Sequence, residues 1–550
     1  MRPAPWRKRV QESMLKTGTG LVPLPSAGAP AATRNGLAPP YSAPPAVAPA
    51  AVGRPDSAPP AVGRSKLVGT RQSSLRQPSR PAALSSADVR ELAARVAGPV
   101  LLPGDEQYLA ECAAVAIDSA QPPAAVVGAT GAADVIAAVA FATDHGMPIA
   151  VRATGHSATA LPADTMLINT ARMQSVHVDP MSRIARVEAG VRWERVIHEA
   201  AVFGLAPLAG SSPHVGAVGY TMGGGLGLLG RAYGYAADHV HALDIVTVHG
   251  MLRRATPAQL GDLFWAVRGG KDNFGVVTSM DIGLFPVRSI YGGGLYFRGS
   301  DAAQVLNAYR RWLASVPEEL SSSYALNRFP MSAELPEQLR GRFTVHVRIA
   351  YCGDAADGER LVQPLRSVAV PLWDTLAEMP FSAAGSIHND PEPRPEVCES
   401  SALLSMLDED AVDALMELVG PDMACPLNFV ELRHLGGALG RSPQVGNAVG
   451  HRTAAFQLYA AGPLAQAEPV RESAALVAER MAPWSTGGTS LNFIGAGGLS
   501  AAAVRAAYAA EDYRRLLSIK RAYDPENLFR GNHNIPPAVP AKPTGRRLFG

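Results

Sequence analysis

The 550-residue sequence predicts an α+β fold of two parts preceded by a tail without a core. Three features of the sequence point there. Short apolar strands alternate with helical stretches over 85–290, and longer strand-like runs separated by helices fill 291–500. Residues 1–84 are rich in Pro, Ala, Ser and Gly, with the near-repeats around Pro45 and Ser57, and carry too little apolar surface to offset the entropy of ordering.

The first part opens with a capped amphipathic pattern at Ser86-Ala87-Asp88, where Val89, Leu92, Ala93 and Val96 share one helix face. A strand at Ala125-Val126-Val127 follows. Next comes a helix with Ala132, Val135, Ile136 and Val139 on one side, and then the strand 148–152. In the second part, 343–350 and 454–459 read as strands, while 302–315, 408–418 and 470–481 read as helices. An antiparallel sheet covered by helices accounts for that alternation. A last helix at 502–520 leads into a C-terminal segment, 501–537, with a short end at 538–550.

Charge is unevenly spread. Residues 1–80 hold 12 Lys and Arg against Glu12 and Asp56, so the formal net charge of +2 conceals a basic tail and a mildly acidic remainder. The tail's charges are dispersed, with no tight basic cluster or interleaved aromatics, which argues for a solvated linker and against nucleic-acid binding. No apolar stretch follows Arg7-Lys8-Arg9 as a signal would require, and no window approaches a membrane span. The expectation is a cytoplasmic protein with no membrane partner, and secretion by another route stays open. Cys112, Cys352, Cys398 and Cys425 are scattered and suggest neither a disulfide framework nor a metal site.

The densest signal lies between residues 148 and 227. The loop Arg152-Ala153-Thr154-Gly155-His156-Ser157 precedes a second glycine-bearing segment, Gly210-Ser211-Ser212-Pro213-His214-Val215-Gly216, and then Gly219-Tyr220-Thr221-Met222-Gly223-Gly224-Gly225. Small residues let backbone N–H groups approach a pyrophosphate closely. This pair resembles the berberine-bridge-enzyme-like branch of the vanillyl-alcohol-oxidase flavoproteins. Further matches follow in order: 262–270 with Asn273-Phe274-Gly275-Val276-Val277-Thr278, then Glu431-Leu432-Arg433-His434-Leu435-Gly436-Gly437-Ala438, then 523–537. The resemblance covers roughly 87–537.

It implies a PCMH-type FAD-binding domain of two subdomains over 85–290, a substrate domain over 291–500, and a return of 501–537 to the FAD domain. It also implies FAD held by Arg152, Thr154, Gly155, His156, Ser157, Ser212, Val215, Gly216, Gly219, Tyr220 and Gly224. Asn273, Gly275, Val277, Asn532 and Asn534 are further cofactor contacts on the same ground. In the family the histidine of the Gly-His-Ser loop bonds covalently to the flavin 8α methyl carbon, which assigns that role to His156. Thr154 replaces a frequent glycine. Ser212 stands where some members carry a second, cysteinyl link, so one covalent bond is expected.

A base must take the substrate's hydroxyl proton as hydride leaves. Many relatives place a tyrosine before an Asn-aromatic pair, whereas this chain reads Ser490-Leu491-Asn492-Phe493. A serine hydroxyl is a poor base, so Tyr459 and Tyr324 stand beside Ser490 as catalytic candidates, with His434 and His451 as further replacements. Arg433 and Arg452 can bind a substrate carboxylate or pair with neighbours such as Glu431. Phe264 and Trp265 read as core.

The resulting expectation is an FAD-linked oxidase that takes hydride from a hydroxyl-bearing small molecule of sugar or secondary-metabolite type and is reoxidised by O2. A flavin dehydrogenase with another acceptor, and a flavin-binding protein without turnover, stay open.

Overall fold

A computed structural model describes residues 84–112, 122–156, 161, 164–392, 395–495 and 499–539. The expectation of a tail over 1–84 falls outside these residues apart from Leu84. Arg80–Gly550 forms one compact unit. Within it the described residues build three sheets.

The first helix, Ser86–Ala93, begins where the pattern placed it. Ser85 caps it, accepting from Asp88 N while the Asp88 carboxylate accepts from Ser85 N, and Leu92 is buried. A four-stranded sheet follows in the order Val100–Leu101, Ala125–Gly128, Met166–Asn169, Ile149–Arg152, its last three strands parallel. The helix Ala132–Asp144 lies against it and buries Val135, Ala138, Val139 and Phe141.

A five-stranded antiparallel sheet is ordered Val176–Asp179, Ile184–Glu188, Val276–Gly283, Val240–Thr247, Met251–Ala255. Its core packs Trp193, Phe264, Trp265 and Phe274. Phe264 and Trp265 are therefore core residues, as their sequence context suggests. Arg268, fully buried beneath them, lies with its guanidinium 4.0 Å from the Phe264 ring centre and donates to the carbonyls of Ala237, Val445 and Gly446.

The third sheet is antiparallel and begins at Ser289. Its path is Trp373–Asp374, Ser289–Arg298, Phe343–Tyr351, Leu320–Arg328, Phe429–His434, Phe456–Pro463, Val397–Leu404. Four helices cover one face: Ala302–Trp312, Ala355–Arg366, Glu409–Val419 and Ala467–Arg480. The register places Leu326, Val345, Val347, Val430, Leu432 and Leu458 toward those helices. The alternate residues form the opposite face, and that face is polar.

One element departs from expectation. The stretch 502–520 is two helices, Ala501–Ala506 and Ala510–Tyr523. Between them Tyr508 donates to Gly269 O at 2.9 Å and Ala509 is extended, so docking onto the first part breaks the helical pattern. No cysteine among the described residues forms a disulfide. No helix there is long and apolar enough to cross a membrane.

Candidate active site

The strand Ile149–Arg152 delivers the Arg152 side chain to the edge of the parallel sheet. Its Nη2 donates to Glu111 O at 2.8 Å, but its buried Nε and Nη1 have no partner among the described residues. Glu111 is itself held below the usual carboxylate range by Arg172, with contacts of 2.6 and 2.7 Å, against the upward push of burial. Thr154, Gly155 and His156 follow as a half-buried loop, and Ser157 lies outside the described residues.

The second glycine segment meets this loop directly. A Cβ on Gly216 would stand 3.4 Å from Thr154 Cγ2, and a Cβ on Gly219 would meet open space. Trp193 N donates to Val215 O at 3.0 Å, which fixes the segment before the short helix Ala217–Met222. Gly224 has φ +108°, a conformation that a side chain would strain. Ser212 is buried and its Oγ accepts from His214 N at 3.4 Å. Tyr220 stands edge-on to Trp193 at 5.5 Å, and its buried hydroxyl is unpartnered among the described residues. Burial raises the Tyr220 hydroxyl's pKa, with Arg433 opposing. Unsatisfied guanidinium donors beside open, small-residue backbone fit a dinucleotide of FAD type.

The C-terminal return is clamped by Asn273. Its Nδ2 donates to Gly270 O and His533 O at 2.8 and 2.9 Å, and its Oδ1 accepts from Ile535 N at 2.7 Å. Both ends of the Asn273 amide thus hold the return segment in place. A Cβ on Gly275 would collide with Val246 O at 2.5 Å, and Val277 lies in the core of the five-stranded sheet. Asn532 donates to Asp272 at 2.5 Å, whereas the buried Asn534 Oδ1 has no partner among the described residues and remains available.

The polar face of the large sheet carries the remaining candidates. Period two places Tyr459 on it, opposite Glu431, and places Tyr324 on the other side, opposite Leu432. Tyr324 is 1% exposed and donates to Ala302 O at 2.9 Å beneath the helices. Tyr324 is thus corrected from catalytic candidate to core residue. Tyr459 donates to Glu399 Oε2 and meets the Phe429 and Phe493 rings edge-on, each at 5.9 Å. Ser490 lines a cavity with Gly223, Gly225, Thr489 and Asn492, and Asn492 Nδ2 donates to Tyr220 O at 2.8 Å.

The other replacements have structural partners. His434 Nε2 meets Arg231 Nη1 at 3.1 Å and its pKa is pushed down to about 3, first by burial and then by Arg231. His451 Nε2 contacts Ala506 O at 2.7 Å, and Arg452 pairs with Asp238 at 2.6 Å. Arg433 pairs with Glu431 at 2.7 Å, the structural alternative weighed for it.

Two family models match: "FAD binding domain" over residues 123–256 and "Berberine and berberine like" over residues 492–536. The chain thus carries an FAD-binding domain and a berberine-like C-terminal segment, and its relatives are FAD-linked oxidoreductases and oxidases. An FAD-linked oxidoreductase of Dictyostelium discoideum is 26% identical over 461 residues, covering 82% of this chain and 97% of that protein. (R)-6-hydroxynicotine oxidase of Paenarthrobacter nicotinovorans is 28% identical over 451 residues, covering 76% and 92%. Among solved structures, 6-hydroxy-D-nicotine oxidase from Arthrobacter nicotinovorans superposes with a TM-score of 0.68 at 25% identity, covering 80% and 98%. A chitooligosaccharide oxidase shares the fold, with a TM-score of 0.69 at 21% identity, covering 82% and 100%.

The oxidoreductase also holds a pair that sequence reasoning passed over, Lys271 and Asp272, and it joins Arg348 and His388 to the Glu431–Arg433 pair. Asp272 accepts from Asn532, and Lys271 precedes it in the chain. Burial pushes the Lys271 ammonium down to about 8 despite the nearby carboxylates of Asp272 and Glu399. Glu431, 0% exposed, receives Arg348 Nη1 at 2.8 Å and Arg433 Nε at 2.7 Å, with His388 Nε2 3.4 Å away. Burial would raise the Glu431 carboxyl, but Arg433 and Arg348 overcome it and hold it well below its ordinary range. The alternation of Glu431 and Arg433 was the available sequence signal. Their partners, Arg348 and His388, lie too far along the chain to be paired by spacing.

Proposed function

We propose that this oxidoreductase oxidises a hydroxyl-bearing small molecule at the polar face of the large sheet, with Tyr459 receiving the hydroxyl proton. Bound FAD would supply the hydride acceptor and, once reduced, would pass its electrons to dioxygen to give hydrogen peroxide. The observation that carries the reading is the place of Tyr459. Its ring stands against Phe493 of the Asn-aromatic pair, so a tyrosine reaches that pair from a neighbouring strand although Ser490 occupies the familiar position.

Tyr459 Oη is bonded to a carboxylate, and this defines a balanced proton path. As the carbon loses hydride and its oxygen becomes a carbonyl, the hydroxyl proton passes to Tyr459 Oη while the tyrosine's own proton moves to Glu399 Oε2. Asn492, held on Tyr220 O, and Phe493 fix the wall beside this pair. Arg152 and the segment Val215–Tyr220 would hold the dinucleotide, and Asn534 offers an acceptor from the return segment. His156 is proposed as the single covalent tether, since Ser212 offers a hydroxyl where a second link would need a thiolate.

The test uses purified holoprotein. Acid denaturation leaves yellow colour on wild-type polypeptide and releases it from His156→Ala. Anaerobic mixing with a panel of sugars and hydroxylated aromatics bleaches the flavin with at least one compound, and air restores the colour with peroxide formed. Slow recovery in air with fast recovery by a quinone would instead mark a dehydrogenase. Failure of every compound to bleach the flavin would mark a flavin protein without turnover.

A further inference from the structure

A cavity on the same sheet face carries more positive charge than its own residues neutralise. It is lined by Gly227, Ser323, Arg348, His388, Arg433 and His434, among others. Three polar atoms there are buried without a partner among the described residues: Ser323 Oγ, His388 Nδ1 and His434 Nδ1, while His388 Nε2 lies 3.4 Å from Glu431. The Ser323 residue is 3% exposed and the His388 side chain 6%. Buried polar groups are normally satisfied, so such a cluster marks a place that water or a ligand completes.

The guanidinium groups sharpen the identity of that ligand. Arg348 uses Nε on His346 and Nη1 on Glu431, and Arg433 uses Nε on Glu431. Arg348 Nη2 and both terminal nitrogens of Arg433 donate to no described residue. Two guanidinium groups therefore share one buried carboxylate. The other carboxylate within electrostatic reach of Arg433, Asp390, is exposed and receives Ser211 Oγ at 2.9 Å, so solvent screens it. His388 and His346 are both lowered by burial and by Arg348 and stay neutral, which leaves them as hydrogen-bonding groups beside the charge.

We infer that this cavity binds a carboxylate group of the substrate through the free donors of Arg433 and Arg348. A planar fork of guanidinium donors matches a carboxylate in geometry as well as charge. The position suits a substrate that reaches the proposed base, because Glu431 stands opposite Tyr459 on the adjacent strand. The substrate class is then a hydroxyl-bearing carboxylate such as a uronic or aromatic hydroxy acid. That assignment to a substrate rests on the function proposed above, whereas the anion site itself does not.

Calorimetric titration of the holoprotein with benzoate and with its neutral isostere benzamide tests the inference without turnover. Benzoate is expected to bind about tenfold or more tightly than benzamide, as charge-assisted hydrogen bonds dictate. Arg433→Met removes that preference and Arg433→Lys restores part of it. Equal binding of the two probes, or binding of neither at millimolar concentration, overturns the site. The wild-type pair decides the matter even where Arg433→Met fails to fold. Anaerobic flavin reduction by glucuronate and glucose separates the two proposals. Faster reduction by the acid supports the substrate assignment, and equal rates with benzoate unable to compete overturn it while leaving the oxidation reading intact. Benzoate binding with no flavin reduction by any hydroxyl compound keeps the anion site and removes the oxidation reading.

Discussion

The two faces of the large sheet are made from the same strands and do opposite things. Toward the helices, Leu326, Val347, Val430, Leu432 and Leu458 are almost fully buried in one apolar cluster, and the Tyr324 hydroxyl has its partner in Ala302 O. Away from the helices, many of the alternate residues depart from that rule. Arg348, Glu431 and Arg433 form a charged cluster, and Ser323, Thr344, His346 and Gln457 each bury a polar atom unpartnered among the described residues. The first face stabilises the domain by removing apolar surface from water. The second gives up stability, since buried charge and unsatisfied polar groups are costly, and keeps chemical capacity instead.

The sharpest way to break this contrast is Glu431→Ala. It leaves two buried guanidinium groups uncompensated and is expected to cost about 3–5 kcal/mol, read from urea unfolding with the flavin retained. Next comes its neighbour on the other face. Leu432→Ala is expected to cost about 2–5 kcal/mol through the cavity it opens, while the folded fraction keeps its rate of flavin reduction. A stability loss at position 432 accompanied by slowed reduction would blur the division between faces.

Acid sharpens the comparison at smaller amplitude. His533, buried beside Ile494 O, has its pKa pushed down to about 3, first by burial and then by Lys271. The unfolded chain binds a proton near pH 6.5 that the folded chain refuses, so stability falls as pH drops from about 6.5 toward 3 and is unaffected above. The slope from this one group is about 1.4 kcal/mol per pH unit. His346 and His388, on the polar face, act in the same direction. Urea unfolding at pH 7 and pH 5 reads the slope, and His533→Gln is expected to flatten it.

Local patterning made much of this legible. The capped first helix, the alternation of short strands with helices and the longer strands of the second part follow from residue spacing, and period two already separates Tyr324 from Tyr459 once the sheet's buried side is known. The glycine segments at 152–157 and 210–225 could be singled out because each is contiguous in the sequence. What escaped the sequence needed distance. The clamp made by Asn273 joins it to His533 O and Ile535 N, some 260 positions on. Glu431 could be paired with Arg433 by spacing, but Arg348 joins it across strands 83 positions apart. The final helix reads as continuous because nothing local announces that Tyr508 docks on Gly269.

The most direct test sets the two tyrosines against each other by stopped-flow flavin reduction under anaerobic conditions. Tyr459→Phe should retain flavin yet reduce it about a hundredfold or more slowly. Tyr324→Phe should lose only about 1 kcal/mol of stability, for one buried hydrogen bond, and reduce flavin at the wild-type rate. Equal rates in Tyr459→Phe and wild type, or a collapse confined to Tyr324→Phe, would contradict the assignment of chemistry to the polar face.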